Sequence, residues 1–308
     1  MRRYYLKNRK TQSKSHPKKR KAKLIIALII FFLSLFLLFL LSKSKITKDR
    51  IIIASPNNSE GEIIIIDPST KTINIIQIPK DTQTQAARQK GTWRMGSLWK
   101  LGEQEKYNGS FFSDSLILTF QLPIDYWAEE GFSKLANNPL SLTGFIFDRT
   151  KSNINFIDRI KLSLIIFSIP KNNVTTINLK DTDLLKSTKL IDGENGYVVL
   201  DKIPQLLTRL FFSQFISEEN LKINIINSSN SSRPMTLIAS VVQILGAKVN
   251  SFQNSPETTS AGCLVRSLGQ SQTLNSILQI FSCKHEAKKP EGNFDLEINL
   301  GSEFLNQF

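Results

Sequence analysis

Histidine and cysteine are scarce, with two of each in 308 residues. His16 lies in a basic tail, which leaves His285 alone in the body, so neither a Ser-His-Asp constellation nor a histidine-rich zinc site can be assembled there. Any metal would need carboxylates, with Mg²⁺ as the hard-cation choice. Acidic residues are missing from residues 1–23, which carry eleven Lys and Arg. Of the formal net charge of +14, that tail takes most, and the remainder holds 29 basic against 26 acidic side chains. A nearly neutral body argues against nucleic acid as a partner, because a nucleic-acid-binding domain carries its positive charge on the folded face. Repeats and low-complexity tracts are absent too. With 41% hydrophobic and 21% charged residues, the chain is neither collagen-like, coiled-coil nor wholly disordered.

One long apolar run stands out. Residues 24–41 read LIIALIIFFLSLFLLFLL, interrupted only by Ser34, and would extend about 27 Å as a helix. This predicts a transmembrane helix. Lys18, Lys19, Arg20, Lys21 and Lys23 crowd its first edge, whereas only Lys43, Lys45 and Lys48 follow it closely. The positive-inside rule then makes it a signal anchor in the cytoplasmic membrane, with the N-terminus inside, the body extracytoplasmic and the lipid bilayer as a partner. A cleaved signal peptide is the alternative, weakened by the length of the run and by the lack of a small-residue cleavage site after it. Cys263 and Cys283, twenty residues apart, would meet an oxidising exterior and form a disulfide, two buried thiols being the alternative.

Beyond residue 49 the patterning is α/β. Isoleucine runs at 50–54, 62–66 and 71–78, separated by turn chemistry, read as strands covered on both faces. Trp93, Met95, Leu98 and Trp99 recur at roughly helical spacing, either anchoring a loop to the core or forming a stacking platform. Phe111–Leu122 is a buried helix or strand. Phe156–Ile169 is a helix ended by Pro170. Strands follow at 174–179 and 197–200, then a helix over 203–216 capped by Asp201. Asp181-Thr182-Asp183 reads as a helix cap, or as a carboxylate pair for the metal of a nucleotide-sugar glycosyltransferase. Ser217–Asn220 marks a domain boundary. After it come a strand at 221–227, a helix at 234–245, strands at 247–253 and 263–267, a helix at 271–281, and strands at 283–287 and 294–300. Pro234 and Gly246 suit the two ends of the first of these helices.

The segment EIIIIDPSTKTINIIQIPKDT (62–82), followed by LPIDYWAEEGFSKL (122–135), resembles the LytR-CpsA-Psr family. INIINSSNSSRPMTLIASVVQILGAKV (223–249), with FDLEINLGSEF (294–304), is similar to the LytR C-terminal domain. The resemblance implies enzymes that transfer polyprenyl-pyrophosphate-linked glycans to the cell wall, using Mg²⁺ and a cluster of arginines and aspartates around the pyrophosphate. The family's Arg-x-Asp-Thr falls here on Asn57, Ser59 and Glu60. Its next arginine falls on Lys80, which keeps the charge without the bidentate fork. Asp81 and Thr82 match, and Arg94 stands near a further basic position. Arg149, Lys151 and Arg159 lack the spacing of the later arginine stretch.

The expected architecture is therefore a cytoplasmic tail (1–23), a transmembrane helix (24–41), a linker (42–49), a divergent LytR-CpsA-Psr-like α/β domain (50–216) and a small βαβ-βαβ C-terminal domain (221–308). Lys80, Asp81 and Arg94 are the candidate pyrophosphate-binding residues, with no catalytic residue and no cofactor assigned. The chain reads as a non-catalytic cell-envelope homologue that binds envelope glycan or a protein partner. An active Mg²⁺-dependent transferase of polyprenyl-pyrophosphate-linked glycan and a type II membrane glycosyltransferase are the alternatives.

Overall fold

The computed structural model describes residues 23, 26–32, 34–36 and 49–308, apart from 130, 137–140, 148–149, 201–204, 230, 256–258 and 261. Among the described residues no helix is long and apolar enough to cross a membrane. The described helical positions of that run are residue 23 and residues 26–32 and 34–36, fewer than the roughly 20 residues that a bilayer span takes. This corrects the expectation of a transmembrane helix over 24–41. The signal anchor, the single-pass location in the cytoplasmic membrane with an extracytoplasmic body, and the bilayer as a partner fall with it. Residues 24, 25, 33 and 37–41 of that run, the basic tail to residue 22, Arg149 and Asp201 lie outside the described residues.

Lys45–Phe308 forms one compact unit. Its first sheet begins with β1 (Ile51–Asn57), β2 (Glu60–Asp67) and β3 (Thr72–Ile78), an antiparallel meander. β6 (Tyr126–Trp127) runs parallel to β1 and β7 (Val174–Asn178) parallel to β3. Because strand side chains alternate between faces, the isoleucine runs supply two cores at once. Ile52, Ile63, Ile65, Ile76 and Ile78 face α1 (Met95–Gln104) and α2 (Asn108–Phe120). Ile51, Ile53, Ile64, Ile66 and Ile73 face α3 (Ser141–Ile146) and α4 (Phe156–Ser168). The segment 111–122 resolves as the helix α2, stopped by Gln121 in the left-handed region at φ 53°. Asn155 caps α4, accepting from the Asp158 N–H at 2.9 Å, and the helix ends just before Pro170.

The second sheet has the order β11-β10-β14-β12-β13. β10 (Ile223–Asn227), α7 (Arg233–Ile244) and β11 (Val249–Asn254) form one parallel unit. β12 (Cys263–Arg266), α8 (Gln272–Phe281) and β13 (Lys284–Glu286) form another. β14 (Leu296–Leu300) lies between them, parallel to β10 and antiparallel to β12. A helix not foreseen, α9 (Ser302–Gln307), closes the chain, and Phe304 and Phe308 pack on Phe281.

The helix expected over 203–216 is broken. It divides into α5 (Gln205–Phe211) and α6 (Gln214–Glu219), because the Ser213 N–H turns away to donate to Leu245 O at 3.0 Å and its hydroxyl caps α6. At the foreseen boundary, Glu219 accepts from the N–H groups of Gln272 and Thr273 and from the Thr273 hydroxyl at 2.6 Å. A carboxylate from α6 thus sits on the N-terminus of α8, where the helix dipole favours it. One hydrophobic core runs from Ile52 through Phe120 and Ile225 to Phe308, so the two sheets share their packing.

β4 (Gln83–Gln85) and β5 (Thr92–Arg94) make a hairpin whose tip reaches α9. There Arg88 donates to Asp114 at 2.9 Å, its backbone N–H to Gln307 O at 3.2 Å, and its guanidinium lies 4.4 Å from the Tyr107 ring centroid. Burial pushes the Asp114 carboxyl up to about 6 despite Arg88 and Gln307. Between its ordinary value near 3.8 and about 6 the folded protein therefore holds more protons than the unfolded chain, and this group's stabilisation is lost as pH rises through that window. Asp67 works oppositely: Ser69, Thr70 and Arg50 lower its pKa despite desolvation.

Urea titrations of wild type and Asp114→Asn between pH 4 and pH 7 are expected to show the wild type losing stability relative to the variant as pH rises. Parallel curves would remove Asp114 as the cause. Cys263 and Cys283 are bonded across the β12–β13 pair with Cα atoms 4.5 Å apart. Replacing both by serine is expected to cost about 3 kcal/mol, read as a lower urea midpoint.

Candidate functional site

β3 ends at Pro79-Lys80-Asp81-Thr82, a tight turn closed by the Thr82 N–H donating to Pro79 O at 3.0 Å. The same turn starts α1. The first two helical N–H groups, on Met95 and Gly96, donate to the carbonyls of Thr82 at 2.9 Å and Lys80 at 3.0 Å. A helix N-terminus ordinarily offers such donors to an anion; here these two are occupied by backbone. Gly96 is required by this closeness, since a Cβ there would stand 2.9 Å from Ser59 O and 3.2 Å from Lys80 Cβ.

Arg94, the residue before α1, is ringed by three carboxylates. Its Nη1 donates to Asp81 at 2.9 Å and its Nε to Asp192 at 2.8 Å. Nη2 stands 2.8 Å from Asp192 and 2.9 Å from Glu194, yet it is a buried atom without a well-directed hydrogen bond. Asp192 first, and then Asp81, hold the guanidinium more firmly protonated. The Glu194 backbone N–H, followed by Arg94, keeps the Asp192 carboxyl below its usual range.

Asp192 and Glu194 come from the tip of a hairpin, β8 (Leu185–Lys189) and β9 (Asn195–Val199). The hairpin docks on the turn through the Tyr197 N–H, which donates to Asp81 O at 3.1 Å. Gly196 permits the approach: a Cβ there would lie 2.5 Å from Asp81 O and 2.4 Å from Leu190 Cδ1.

The sequence-predicted residues are therefore only partly assembled. Asp81 and Arg94 meet. Lys80 flanks them, exposed and without an ion pair to any described residue. Arg159 is elsewhere, buried and donating to Ile154 O and Phe145 O. Lys151 lies 3.8 Å from Glu103. Asp181 and Asp183 are exposed, and Thr182 caps a short turn that leads into β8, so the expected helix cap is corrected to a strand lead-in. Asp192 and Glu194 were not singled out, although Asp-Gly-Glu-Asn-Gly is a recognisable hairpin turn.

Beside the turn opens a cleft of about 380 Å³ beneath the β1–β2 tip. Trp99 lines it, with Glu60, Glu103, Glu129 and Lys100 around it. The Trp99 ring is set edge-on to Phe112 at 5.7 Å and to Trp127 at 6.1 Å. Trp93 instead pins its own hairpin, its indole N–H donating to Lys90 O at 2.8 Å.

The Mg²⁺ implied by the family resemblance does not fit these side chains. Asp81 is engaged by Arg94, a cation, and among the described residues no group of three or more His, Cys, Asp or Glu could hold a metal ion.

No family model matches the chain, and no curated protein matches it. Solved structures do match, over about half of this chain. TagV of Bacillus subtilis is 11% identical, with a TM-score of 0.38, covering 50% of this chain and 92% of its own. Lin1025 of Listeria innocua is 10% identical, with a TM-score of 0.36, covering 50% and 93%. A LytR-CPS2A-psr family protein, YwtF (TagT), solved with octaprenyl pyrophosphate lipid, is 13% identical, with a TM-score of 0.37, covering 53% and 88%. All three likenesses are at low identity and partial coverage.

Gly196→Ala is expected to undock the β8–β9 hairpin and to cost about 1–3 kcal/mol. Denaturant unfolding reads the loss, and faster amide exchange at Tyr197 reads the undocking; unchanged exchange there would refute the assigned contact.

Proposed function

We propose that the chain is a saccharide-binding protein on a LytR-CpsA-Psr-like scaffold, whose pyrophosphate clamp is closed by its own carboxylates and performs no group transfer. The observation that carries this reading is Arg94 held by Asp81, Asp192 and Glu194. A pyrophosphate needs uncompensated cations and free N–H donors to bind and to stabilise a leaving group. Here the guanidinium faces three carboxylates, and the first donors of α1 are bonded to carbonyls.

The Trp99 cleft supports the saccharide. An indole face packs against the apolar face of a sugar ring, while carboxylates accept hydrogen bonds from its hydroxyls. Glu60, Glu103 and Glu129 supply those acceptors and Lys100 a donor. Its size is within the range of small-molecule sites.

Two assays test the proposal. Incubated with Mg²⁺ and a polyprenyl-pyrophosphate-linked oligosaccharide, the purified chain is expected to yield no transferred or hydrolysed product. On a saccharide array it is expected to retain ligands, with Trp99→Ala weakening the best of them about tenfold, near 1.4 kcal/mol. Turnover abolished by Asp81→Ala would replace this reading with a transferase, and binding indifferent to Trp99→Ala would remove the cleft.

A further inference from the structure

α4 covers one face of the first sheet with Leu162 and Ile166, and its buried side also takes in Asp158, Arg159 and Ser163. Its other side is apolar as well. Phe156, Leu164 and Phe167 are 52%, 53% and 69% exposed, and Ile157 and Ile160 are half-buried between them. With 3.6 residues per turn, these five side chains fall within one stripe about 100° wide, the width that an amphipathic helix turns to a core. A helix that meets only water carries polar residues there.

A stripe of this kind fits another protein surface or lipid, and the charges around it separate the two. Amphipathic helices that lie on lipid are rich in Lys and Arg on their polar face. Of the three charged residues of α4, Asp158 and Arg159 are buried and only Lys161 is partly exposed. The stripe is also self-complementary. Phe156 pairs with Phe167, and Ile160 with Leu164, when two copies of α4 lie antiparallel, because both pairs are centred within a residue of Leu162. Aromatic then meets aromatic and aliphatic meets aliphatic, with Phe156, Ile160 and Leu164 forming the ridge that interdigitates in such packing.

We infer that α4 is the contact face of a reversible homodimer, in which two copies pack this helix antiparallel about a two-fold axis. Phe156, Leu164 and Phe167 alone remove roughly 300 Å² per copy from water. With the half-buried isoleucines and the flanks added, the face approaches the ~600 Å² per partner at which specific interfaces begin, so the dimer is a weak one. The inference is independent of the Trp99 cleft and of Arg94.

Sedimentation velocity on the full chain, across a concentration series, is the test. Wild type is expected to pass from monomer to dimer, and Leu164→Glu/Phe167→Glu, at exposed positions that leave the core intact, to raise the dissociation constant about tenfold or more. Register is read by cysteine cross-linking under mild oxidation. Phe156→Cys/Phe167→Cys is expected to link two copies, and neither single variant to do so, since only the antiparallel pair brings position 156 to position 167. This second measurement keeps its force if the glutamate variant fails to fold. Association unchanged by the glutamates, a wild type monomeric at every concentration, or cross-links in the single variants would each overturn the inference. A monomer that sediments with phosphatidylglycerol vesicles, and ceases to in Leu164→Glu/Phe167→Glu, overturns it in favour of a lipid surface.

Discussion

Burial of the isoleucine meander on both faces is the constraint from which the rest of this structure follows. β1, β2 and β3 expose almost none of their isoleucines, so the sheet must be covered from both sides. α1 and α2 cover one face and α3 and α4 the other. With the interior of the sheet committed to apolar packing, polar chemistry is displaced to its ends, and the Pro79–Thr82 turn and the β1–β2 tip are such ends. α1 then starts on the carbonyls of that turn, which fixes Arg94 and Trp99 on one short segment.

A common electrostatic habit links the two halves of the chain. Three places suited to receive an anion receive one from within. Arg94 takes Asp81 and two acids from a distant hairpin, and the N-terminus of α8 takes Glu219. Arg266 is likewise held between Glu286 and the fully buried Glu297, whose other oxygen accepts from the Glu291 N–H. The body's near balance of 29 basic and 26 acidic residues thus has a spatial counterpart in pairs and triads that neutralise one another locally.

What the sequence revealed and what it concealed divide along physical lines. Strands made of β-branched runs, a helix stopped by Pro170, and the helix bracketed by Pro234 and Gly246 all carry their signals within a dozen residues. β8, whose sequence LKSTK is mostly polar, carries none; it forms because it pairs with β9, whose Tyr197 N–H docks on Asp81 O. The break at Ser213 is set by Leu245, a residue 32 positions away, and no local pattern announces it. The apolar run at 24–41 was read from hydropathy alone, and the described helix falls short of a bilayer span. At the site, the turn Lys80-Asp81-Thr82 and Arg94 were legible as charged residues near a strand end. Their partners were not, because a hairpin nearly a hundred residues on supplies the carboxylates that define what Arg94 can do.

The clasp of Glu219 on α8 has a consequence for how this chain can be divided and inherited. A stretch rich in Ser, Glu and Asn looks like a seam where one module ends and the next begins, yet its last acidic side chain completes a helix that starts 53 residues later. Cutting there would leave the C-terminal piece with orphaned N–H groups on Gln272 and Thr273 and the N-terminal piece with an idle carboxylate on Glu219. The unit that can be exchanged between proteins is therefore longer than the sheet it contains: it includes α6, and recombination that respects the sheet but not this helix would carry away a domain without its cap.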